Sequence, residues 1–436
     1  MRGEMKIYIR GGSVIDPVGG RTYEADLLVE DGKIAGIFTR QDREAESFRI
    51  PEDALVLEAG GLMAAPGLAD THVHFRDPGF TYKEDIISGG EAAKKGGYTG
   101  IVLMANTKPC VDNGEILSYV LEKGKRTGIR ILSCANVTKG MKGEELTDME
   151  ELARCGAAGF TDDGIPLLGK ELVREAMMLA KKLDRPISFH EENPERIVNN
   201  GINAGRASAF YGIGGSPREA ETDLIRRDVE LALETGAKTV IQHISTKEGV
   251  ELVRRAKRNG AQVYAEATPH HFTLTEEALI EKGTLAKMNP PLRTEEDRLA
   301  IIEGLRDGTI DLIATDHAPH SRQEKEREIT AAPSGIIGLE TALGLAIREL
   351  VKPGYLDFPT LFYRMSTAPA RLYGLPGGRI AQGQEADLVL FAPDEPWVVK
   401  EFASKSANSP FIGETMVGNV YYTICEGRVV YQKEGL

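Results

Sequence analysis

Apolar and polar residues alternate with the two-residue period of β-strands near both ends of the chain. The strand-like segments are KIYIRGGSVID, ADLLVEDGKIAGIF, ADLVLFAPD and NVYYTICEGRVVYQ. An Asp-Gly hairpin signal begins at Asp31, and a Glu-Gly pair holds the matching place at Glu426. We therefore predict a small composite β-sandwich lobe, formed by residues 1–60 together with residues 375–436.

The middle of the chain, residues 61–374, alternates apolar runs with amphipathic helical patterns. The apolar runs are LADTHVHF, TGIVLMAN, RILSCANV, AGFTDD, PISFHEE, TVIQHIS, QVYAEATPH and DLIATDHAP. Helical patterns such as KELVREAMMLAKKLD and EDRLAIIEGLRDG lie between them, and several end at a glycine, which commonly stops a helix. Eight β-α repeats predict an α/β fold, a closed (β/α)8 TIM barrel. An open doubly wound sheet is the alternative, but its glycine-rich phosphate fingerprint is missing.

Composition narrows the classes of function. The 436 residues include 53 basic and 66 acidic side chains, and the formal net charge is −13. The charges are spread along the chain, which argues against nucleic acid as a partner. The four cysteines are far apart and form no CxxC pair, so we expect reduced core residues rather than disulfides or a thiolate zinc site. We see no leader-like start and no apolar run of the ~18 residues that a membrane crossing needs, and we expect a cytoplasmic protein.

Polar residues of the types His, Asp and Asn end seven of the eight apolar runs. His72 and His74 are one residue apart, so both imidazoles point to the same face of a strand. His190, His243 and Asp316 end three other runs. The C-terminal ends of barrel strands meet at one rim, where TIM-barrel active sites lie. Nitrogen and oxygen donors that converge on this rim predict a metal site.

A pair of divalent metal ions needs a bridging anion, and the FTDDG segment offers the carboxylates of Asp162 and Asp163. No lysine lies in this segment, so a carbamylated lysine bridge is not available. Ligands of the His and carboxylate types without thiolate favour zinc, with manganese or cobalt as substitutes. Bound water would then be a hydroxide at neutral pH, and Asp316 would take its proton and pass it to a departing nitrogen. The sequence thus predicts an amide or imide hydrolase that works in either direction.

Seven short motifs extend this interpretation over essentially the whole chain. They are HVHFRDPG, MANTKP, FTDDG, FHEEN, TPHH, NPPLR and ATDHAPH. Together they resemble the dihydroorotase family in its bacterial class I type. The resemblance implies reversible closure of N-carbamoyl-L-aspartate to L-dihydroorotate in pyrimidine synthesis, with two zinc ions in each subunit. The ligands that it implies are His72, His74 and Asp316 for one ion, His190 and His243 for the other, and Asp163 between them. Asp163 is preferred to Asp162 because it holds the ligand's place in the DDG motif.

The resemblance also bears on substrate binding. The contacts that we expect are His74, Arg76, Asn106, Asn289, His320, Ser334 and Gly335. Arg76 offers a fork of donors to a substrate carboxylate, and Asn106 offers an amide beside it. Most members resemble PFG where this chain has the PSG segment, so Ser334 is expected to change packing around the ring, and therefore affinity more than chemistry.

Two other segments have less direct roles. His270 and His271 are expected to orient neighbouring groups rather than to bind metal. The charged stretch SRQEKEREIT, residues 321–330, is expected to be a solvated loop rather than a substrate lid.

Two alternatives remain for the function. A hydantoinase or allantoinase acting on another cyclic ureide shares the HxH barrel, but such enzymes usually have the bridging lysine and lack RDPG. A catalytically inactive relative, serving as a scaffold for aspartate transcarbamoylase, is disfavoured because every ligand position is filled. For the enzyme we expect a small-molecule substrate, a homo-oligomer, and aspartate transcarbamoylase as a candidate partner.

Overall fold

The structure, a computed structural model, describes residues 6–45 and 48–435. The strands are β1 (Lys6–Asp16), β2 (Arg21–Glu30), β3 (Lys33–Phe38), β4 (Ala54–Glu58), β5 (Met63–Pro66), β6 (Leu68–Val73), β7 (Tyr98–Leu103), β8 (Arg130–Ser133), β9 (Phe160–Thr161), β10 (Ile187–Phe189), β11 (Thr239–Ile241), β12 (Val263–Ala267), β13 (Leu312–Ile313), β14 (Leu388–Ala392), β15 (Trp397–Val398), β16 (Thr415–Met416), β17 (Asn419–Cys425) and β18 (Arg428–Gln432).

Helices fill most of the connections between the central strands. They are α1 (Arg40–Glu44), α2 (Ile86–Lys95), α3 (Gly114–Gly124), α4 (Met149–Arg154), α5 (Lys170–Lys182), α6 (Arg206–Tyr211), α7 (Arg218–Thr235), α8 (Lys247–Arg258), α9 (Pro269–Thr273), α10 (Glu277–Lys282), α11 (Glu295–Asp307), α12 (Arg322–Lys325), α13 (Ala342–Ala346), α14 (Phe358–Phe362) and α15 (Ala368–Tyr373). Single 3-10 turns occupy Lys139–Met141, Pro194–Arg196 and Gly283–Ala286, and π-helical turns occupy Ile347–Val351 and Tyr363–Thr367.

The helix α8 shows how the sequence sets these elements. The Thr246 side chain accepts a hydrogen bond from the backbone N–H of Gly249 and so caps the first turn. The apolar residues Val250, Val253 and Ala256 recur at helical spacing and are buried against the strands. Capping and a single apolar face together fix where the helix begins and which side it buries.

The central strands pair in parallel in chain order, from β6 to β8 and from β9 to β13. Parallel bridges between Ala135 and Phe160 and between Val73 and His317 link these two sheets at both edges. Each central strand coincides with one of the eight apolar runs of the sequence, although β7 begins one residue earlier, at Tyr98. Because the strands are parallel, their C-terminal ends all lie at one rim.

Strands from both ends of the chain form a separate sheet of eight strands. Its order is β18-β17-β14-β5-β1-β2-β3, and β4 pairs with β1. Both predicted hairpin turns are present, with positive φ of 53° at Asp31 and 51° at Glu426. The second turn lies directly on the first, because a Cβ added to Gly427 would be 2.6 Å from the Cα of Gly32. Glycine is therefore required where the two turns touch.

Ion pairs tie this sheet to the central strands. Arg130 on β8 contacts Asp387 at 3.0 Å, Glu426 at 2.8 Å and Glu385 at 3.3 Å. Asp387 is buried, so this contact is less screened by water than the two at the surface.

The cysteines only partly match the sequence prediction. All four are free, and Cys134 and Cys425 are buried as expected. Cys110 is half-buried and Cys155 is exposed, so the prediction that the cysteines are core residues is wrong for Cys155. Cys155 caps the end of α4, where the chain turns at the surface. Among the described residues, no helix is long and apolar enough to cross a membrane.

Candidate metal centre

The six predicted metal ligands come together at the rim where the parallel strands end. We call them the metal cluster: His72, His74, Asp163, His190, His243 and Asp316. His72 lies in β6, and the others lie within a few residues of the ends of β6, β9, β10, β11 and β13. None is more than 9% exposed. Strand ends deliver these side chains to one place although they are far apart in the sequence.

The backbone takes unusual conformations at this rim. Positive φ values occur at Arg76 (59°), His243 (28°) and Asp316 (48°). Such angles are uncommon outside glycine and cost energy, so the surrounding structure must hold them. They turn the chain sharply after the strand, which directs His243 and Asp316 into the cluster.

One half of the metal cluster is formed by His72, His74, Asp163 and Asp316. His72 Nε2 is 3.4 Å from Asp163 Oδ1 and 3.5 Å from Asp316 Oδ1. His74 Nε2 is 3.4 Å from Asp163 Oδ2 and 3.0 Å from Asp316 Oδ1. Asp163 and Asp316 therefore both face the same pair of imidazole nitrogens.

The other half is formed by His190, His243 and the same Asp163. His190 Nδ1 is 3.0 Å from His243 Nε2. Asp163 Oδ1 lies 3.8 Å from His190 Nδ1 and 3.9 Å from His243 Nε2. Asp163 is the one residue common to both three-residue groups of ligand atoms found in the described chain.

These distances fit metal coordination. Ligand atoms of a tetrahedral ion, each about 2.1 Å from it, lie about 3.4 Å from one another. His72 Nε2 and His243 Nδ1 are buried and have no hydrogen-bond partner. A buried polar atom without a partner is costly, and a cation at this place would satisfy the Nε2 lone pair.

The tautomers of the first two histidines are set by neighbours outside the cluster. His72 Nδ1 donates to Glu266 Oε2 at 3.1 Å, and His74 Nδ1 donates to Asn106 Oδ1 at 2.9 Å. Each donation places the ring proton on Nδ1 and leaves the Nε2 lone pair facing the cluster. This is the usual arrangement around metal-binding histidines.

Electrostatics keep both cluster carboxyls ionised. Burial alone raises the pKa of Asp163, but attraction to His72 and hydrogen bonding to His243 outweigh burial and hold that pKa well below its usual value. For Asp316, burial is likewise outweighed by His72 and His74, and its pKa is lowered. Both groups are therefore anionic at neutral pH.

Asp162 faces away from the metal cluster. Its carboxylate accepts hydrogen bonds from Asn136 Nδ2 at 3.1 Å, from Val137 N at 2.9 Å, and from both the backbone N–H and the hydroxyl of Thr138. Its acceptors are thus used in holding the loop after β8. The sequence alone does not decide which of the two adjacent aspartates belongs to the cluster. The geometry favours Asp163.

A polar pocket of about 120 Å³ opens onto the metal cluster. The predicted substrate residues that line it are His74, Arg76, Asn106, Asn289, Ser334 and Gly335. Arg76 Nε donates to Pro319 O at 3.2 Å, which fixes the guanidinium at the mouth. Asn289 Nδ2 lies 3.2 Å from His190 Nε2, and its Oδ1 is buried without a partner.

His320 lies beside the pocket rather than in its lining. Its Nδ1 accepts from Lys83 Nζ at 3.3 Å, and its Nε2 donates to Ser334 O at 2.9 Å. Burial lowers the pKa of His320, and the charges of Arg76 and Lys83 lower it further. The imidazole is therefore neutral, and through Nε2 it contacts the loop that carries Ser334.

Residues 332–335, which we call the substrate loop, are held from behind by two buried lysines. Lys287 Nζ donates to Ala332 O at 2.7 Å. Lys325 Nζ donates to Pro333 O at 2.9 Å and to Gly335 O at 3.2 Å. Lys325 belongs to the charged stretch 321–330, so the prediction of a wholly solvated loop is wrong there. Ser321 caps the short helix α12, which directs this lysine inward.

Comparisons with known proteins identify the family of this chain. Residues 61–249 match the Dihydro-orotase-like family model. A dihydroorotase of Clostridioides difficile (strain 630) is 52% identical over 427 residues, which cover 98% of this chain and 99% of that protein. The chain belongs to the dihydroorotase family. A second member, from Clostridium acetobutylicum, is 49% identical, with 98% and 99% covered.

The fold of this dihydroorotase-family chain matches that of a solved relative. L-hydantoinase from Arthrobacter aurescens superposes with a TM-score of 0.85 at 25% identity, covering 98% of this chain and 96% of that chain. The chain therefore has the mixed α/β amidohydrolase fold of that enzyme.

Sequence reasoning missed Glu266, the carboxylate that holds His72. It lies in β12, is buried, and also accepts from Thr71 Oγ1 at 2.6 Å. A lone glutamate in the apolar run VYAEA is the signal that could have found it, because a buried carboxylate needs a partner. The expected orienting role of His271 has a contact to support it, since its Nε2 donates to Pro290 O at 3.1 Å, next to Asn289.

Proposed function

We propose that this protein is a dihydroorotase, which closes N-carbamoyl-L-aspartate to L-dihydroorotate, reversibly and with loss of water, in pyrimidine synthesis. The strongest support is that all six expected metal ligands meet in one cluster. They do so in a chain that is about half identical, over nearly its full length, to relatives named dihydroorotase. The pocket at the metal cluster also presents hydrogen-bond donors such as Arg76, which an anionic substrate requires.

The metal cluster would hold two divalent ions, and zinc suits imidazole and carboxylate ligands without thiolate. His72, His74 and Asp316 would bind one ion, His190 and His243 the other, and Asp163 would lie between them. Such ions supply a water that ionises near neutral pH and a positive charge against which a carbonyl oxygen is polarised.

Asp316 would serve as the general base and acid. Its carboxylate lines the pocket and is anionic, so it can accept a proton from the attacking water when the ring is opened. It then returns the proton to the departing ring nitrogen. In ring closure the same group would take the proton from the ureido nitrogen as it attacks the carboxyl group and pass it to the departing hydroxyl of that carboxyl group, which leaves as water.

The pocket residues would bind and orient the substrate. Arg76 presents the free end of its guanidinium to a substrate carboxylate, since its Nε is already used on Pro319 O. Asn106 and Asn289 present amide groups on opposite halves of the metal cluster, beside His74 and His190. His320 orients the substrate loop through Ser334 O, so that Ser334 and Gly335 can contact the ring.

We also propose the larger architecture. The parallel strands and their edge bridges support a closed (β/α)8 barrel over residues 61–374, with a β-sandwich lobe from residues 1–60 and 375–436 whose sheet also includes β5 (Met63–Pro66). A homo-oligomer in the cytoplasm, and aspartate transcarbamoylase as a partner, are further proposals that follow from the family.

A substrate comparison tests the proposal. Carbamoyl-aspartate, dihydroorotate, hydantoin and allantoin would be assayed side by side with the metal-loaded protein. We expect turnover of the first two in opposite directions and little of the others. Activity confined to hydantoin or allantoin would favour the hydantoinase alternative, whose fold this chain shares.

A further inference from the structure

A second cavity lies next to the substrate loop, and none of its lining residues lines the pocket at the metal cluster. Its volume is about 570 Å³, within the usual range of small-molecule sites. Four lining side chains are cations, namely Lys282, Arg322, Lys325 and Arg327, and only Glu326 is an anion. The balance of charge in this cavity favours an anionic ligand, although the protein as a whole is acidic.

Lys325 is the most unusual of these cations. Its side chain is buried, with 4% of the residue exposed, and no carboxylate in the described ranges forms an ion pair with it. An ammonium has three donors, and two of them are used on Pro333 O and Gly335 O. Burial lowers the pKa of Lys325 to about 7, and the charge of Lys287 contributes to this shift. A buried charge without a counterion is costly, so an anion placed beside it would be stabilised.

Arg327 adds a second cation without a partner. It is exposed, and no carboxylate of residues 6–45 or 48–435 forms an ion pair with it. Arg322 and Lys282 differ, because they pair with Glu326 at 2.6 Å and with Glu414 at 3.4 Å. Leu285 and Ile412 supply apolar wall to the same cavity.

We propose that this cavity binds a small organic phosphate, with Lys325 and Arg327 contacting the phosphate and the apolar wall contacting the rest of the ligand. A phosphate group offers the several acceptor oxygens that the unused donors of both side chains require. The apolar wall distinguishes such a ligand from a free inorganic anion.

The cavity shares its wall with the metal pocket. Lys325 and Asn408 line the cavity, and both donate to the carbonyl oxygen of Gly335, which lines the pocket. A phosphate that draws the Lys325 ammonium toward itself competes with the carbonyl oxygens of the substrate loop. Ligand in the cavity should therefore alter substrate affinity more than the chemical step. This consequence, unlike binding itself, rests on the proposed function.

Calorimetric titration of the metal-loaded, full-length protein with phenyl phosphate tests binding directly. We expect one saturable site that binds phenyl phosphate more tightly than inorganic phosphate. Arg327→Gln should weaken binding about tenfold, the effect of losing one charge-assisted hydrogen bond. The matched control is Arg306→Gln, which removes an exposed arginine of α11 outside the cavity and should leave binding unchanged.

Two outcomes would overturn the site. One is the absence of saturable binding, and the other is binding that Arg327→Gln leaves unchanged, which would place the phosphate at the metal cluster instead. Lys325→Met should also weaken binding, with circular dichroism as the check on folding. If Lys325→Met does not fold, the comparison of Arg327→Gln with Arg306→Gln still tests the phosphate site.

Kinetics test the link to the substrate loop. Phenyl phosphate should change KM for dihydroorotate with little change in kcat, and Arg327→Gln should reduce this response. Binding without any change in KM would overturn the link. Failure of the protein to turn over dihydroorotate at all would overturn the proposed function while leaving the binding result intact.

Discussion

The metal cluster and the substrate loop border the same pocket, but their polar groups are held in opposite ways. In the metal cluster, the carboxylates of Asp163 and Asp316 face imidazole nitrogens at strand ends, where bound cations would balance their charge. The substrate loop is held by the amino groups of Lys287 and Lys325, which donate to its carbonyl oxygens and form no ion pair with a carboxylate of the described residues. The difference separates two tasks, since the cluster of ligands suits chemistry and the loop, held through its carbonyl oxygens, positions groups that contact the substrate.

We expect the largest effect on turnover from Asp316→Ala, which removes the proposed general base from the metal cluster. Turnover should fall at least about a hundredfold, the usual contribution of a general acid-base group, while the fold is retained. Steady-state kinetics and circular dichroism measure both. Asp394→Ala, at an exposed aspartate, is the matched control. Near-normal turnover in a folded Asp316→Ala protein would show that another group is the base.

Glu266→Gln is expected to weaken the metal cluster without removing a ligand. The carboxylate that holds His72 is lost, and metal affinity should fall by about ten- to a hundredfold. Titration with a competing chelator measures the affinity, and excess metal should restore turnover. Glu303→Gln, at an exposed glutamate of α11, should change neither quantity. Unchanged affinity in Glu266→Gln would mean that His72 needs no outer support.

Asp162→Asn should affect stability rather than metal binding, and so separates the two adjacent aspartates. An amide NH2 placed against the donors of Asn136 and Thr138 loses charged hydrogen bonds, at a cost of about 1–3 kcal/mol in the free energy of unfolding. Urea denaturation at fixed free metal measures the loss. Metal content that falls in Asp162→Asn but persists in Asp163→Asn would reverse the assignment.

The smallest effect is expected at the substrate loop. Lys287→Met removes one hydrogen bond to Ala332 O, and the loop should then bind substrate less well. We expect KM to rise about three- to tenfold with kcat and metal content little changed. A fall in kcat at constant KM would contradict the separation of binding from chemistry.

The metal cluster was largely predictable because its chemistry lies on strands. A ligand at the end of an apolar run, such as His190 or His243, has its position set by a short-range pattern. The terminal hairpins were predictable for the same reason, since the Asp31-Gly32 pair by itself predicts a hairpin turn. Local signals therefore carried most of the fold.

The substrate loop was not predictable because its support comes from distant residues. The charged stretch SRQEKEREIT predicts a solvated Lys325, because nothing in it shows that one lysine turns inward toward the carbonyl oxygens of residues 333 and 335. The orientation of Asp162 depends in the same way on Asn136 and Thr138, which precede it by more than 20 residues. Such contacts depend on tertiary packing, which the local pattern of a single sequence does not predict.

Metal analysis and turnover measured on one preparation test whether the metal cluster is a two-metal catalytic centre. Purified protein would be dialysed with zinc, analysed for bound metal, and assayed with dihydroorotate before and after chelation. We expect two ions in each subunit, turnover that chelation abolishes, and recovery of turnover when zinc is added back. A folded protein that binds no metal, or that turns over dihydroorotate equally well without metal, would show that the metal cluster is not the catalytic centre.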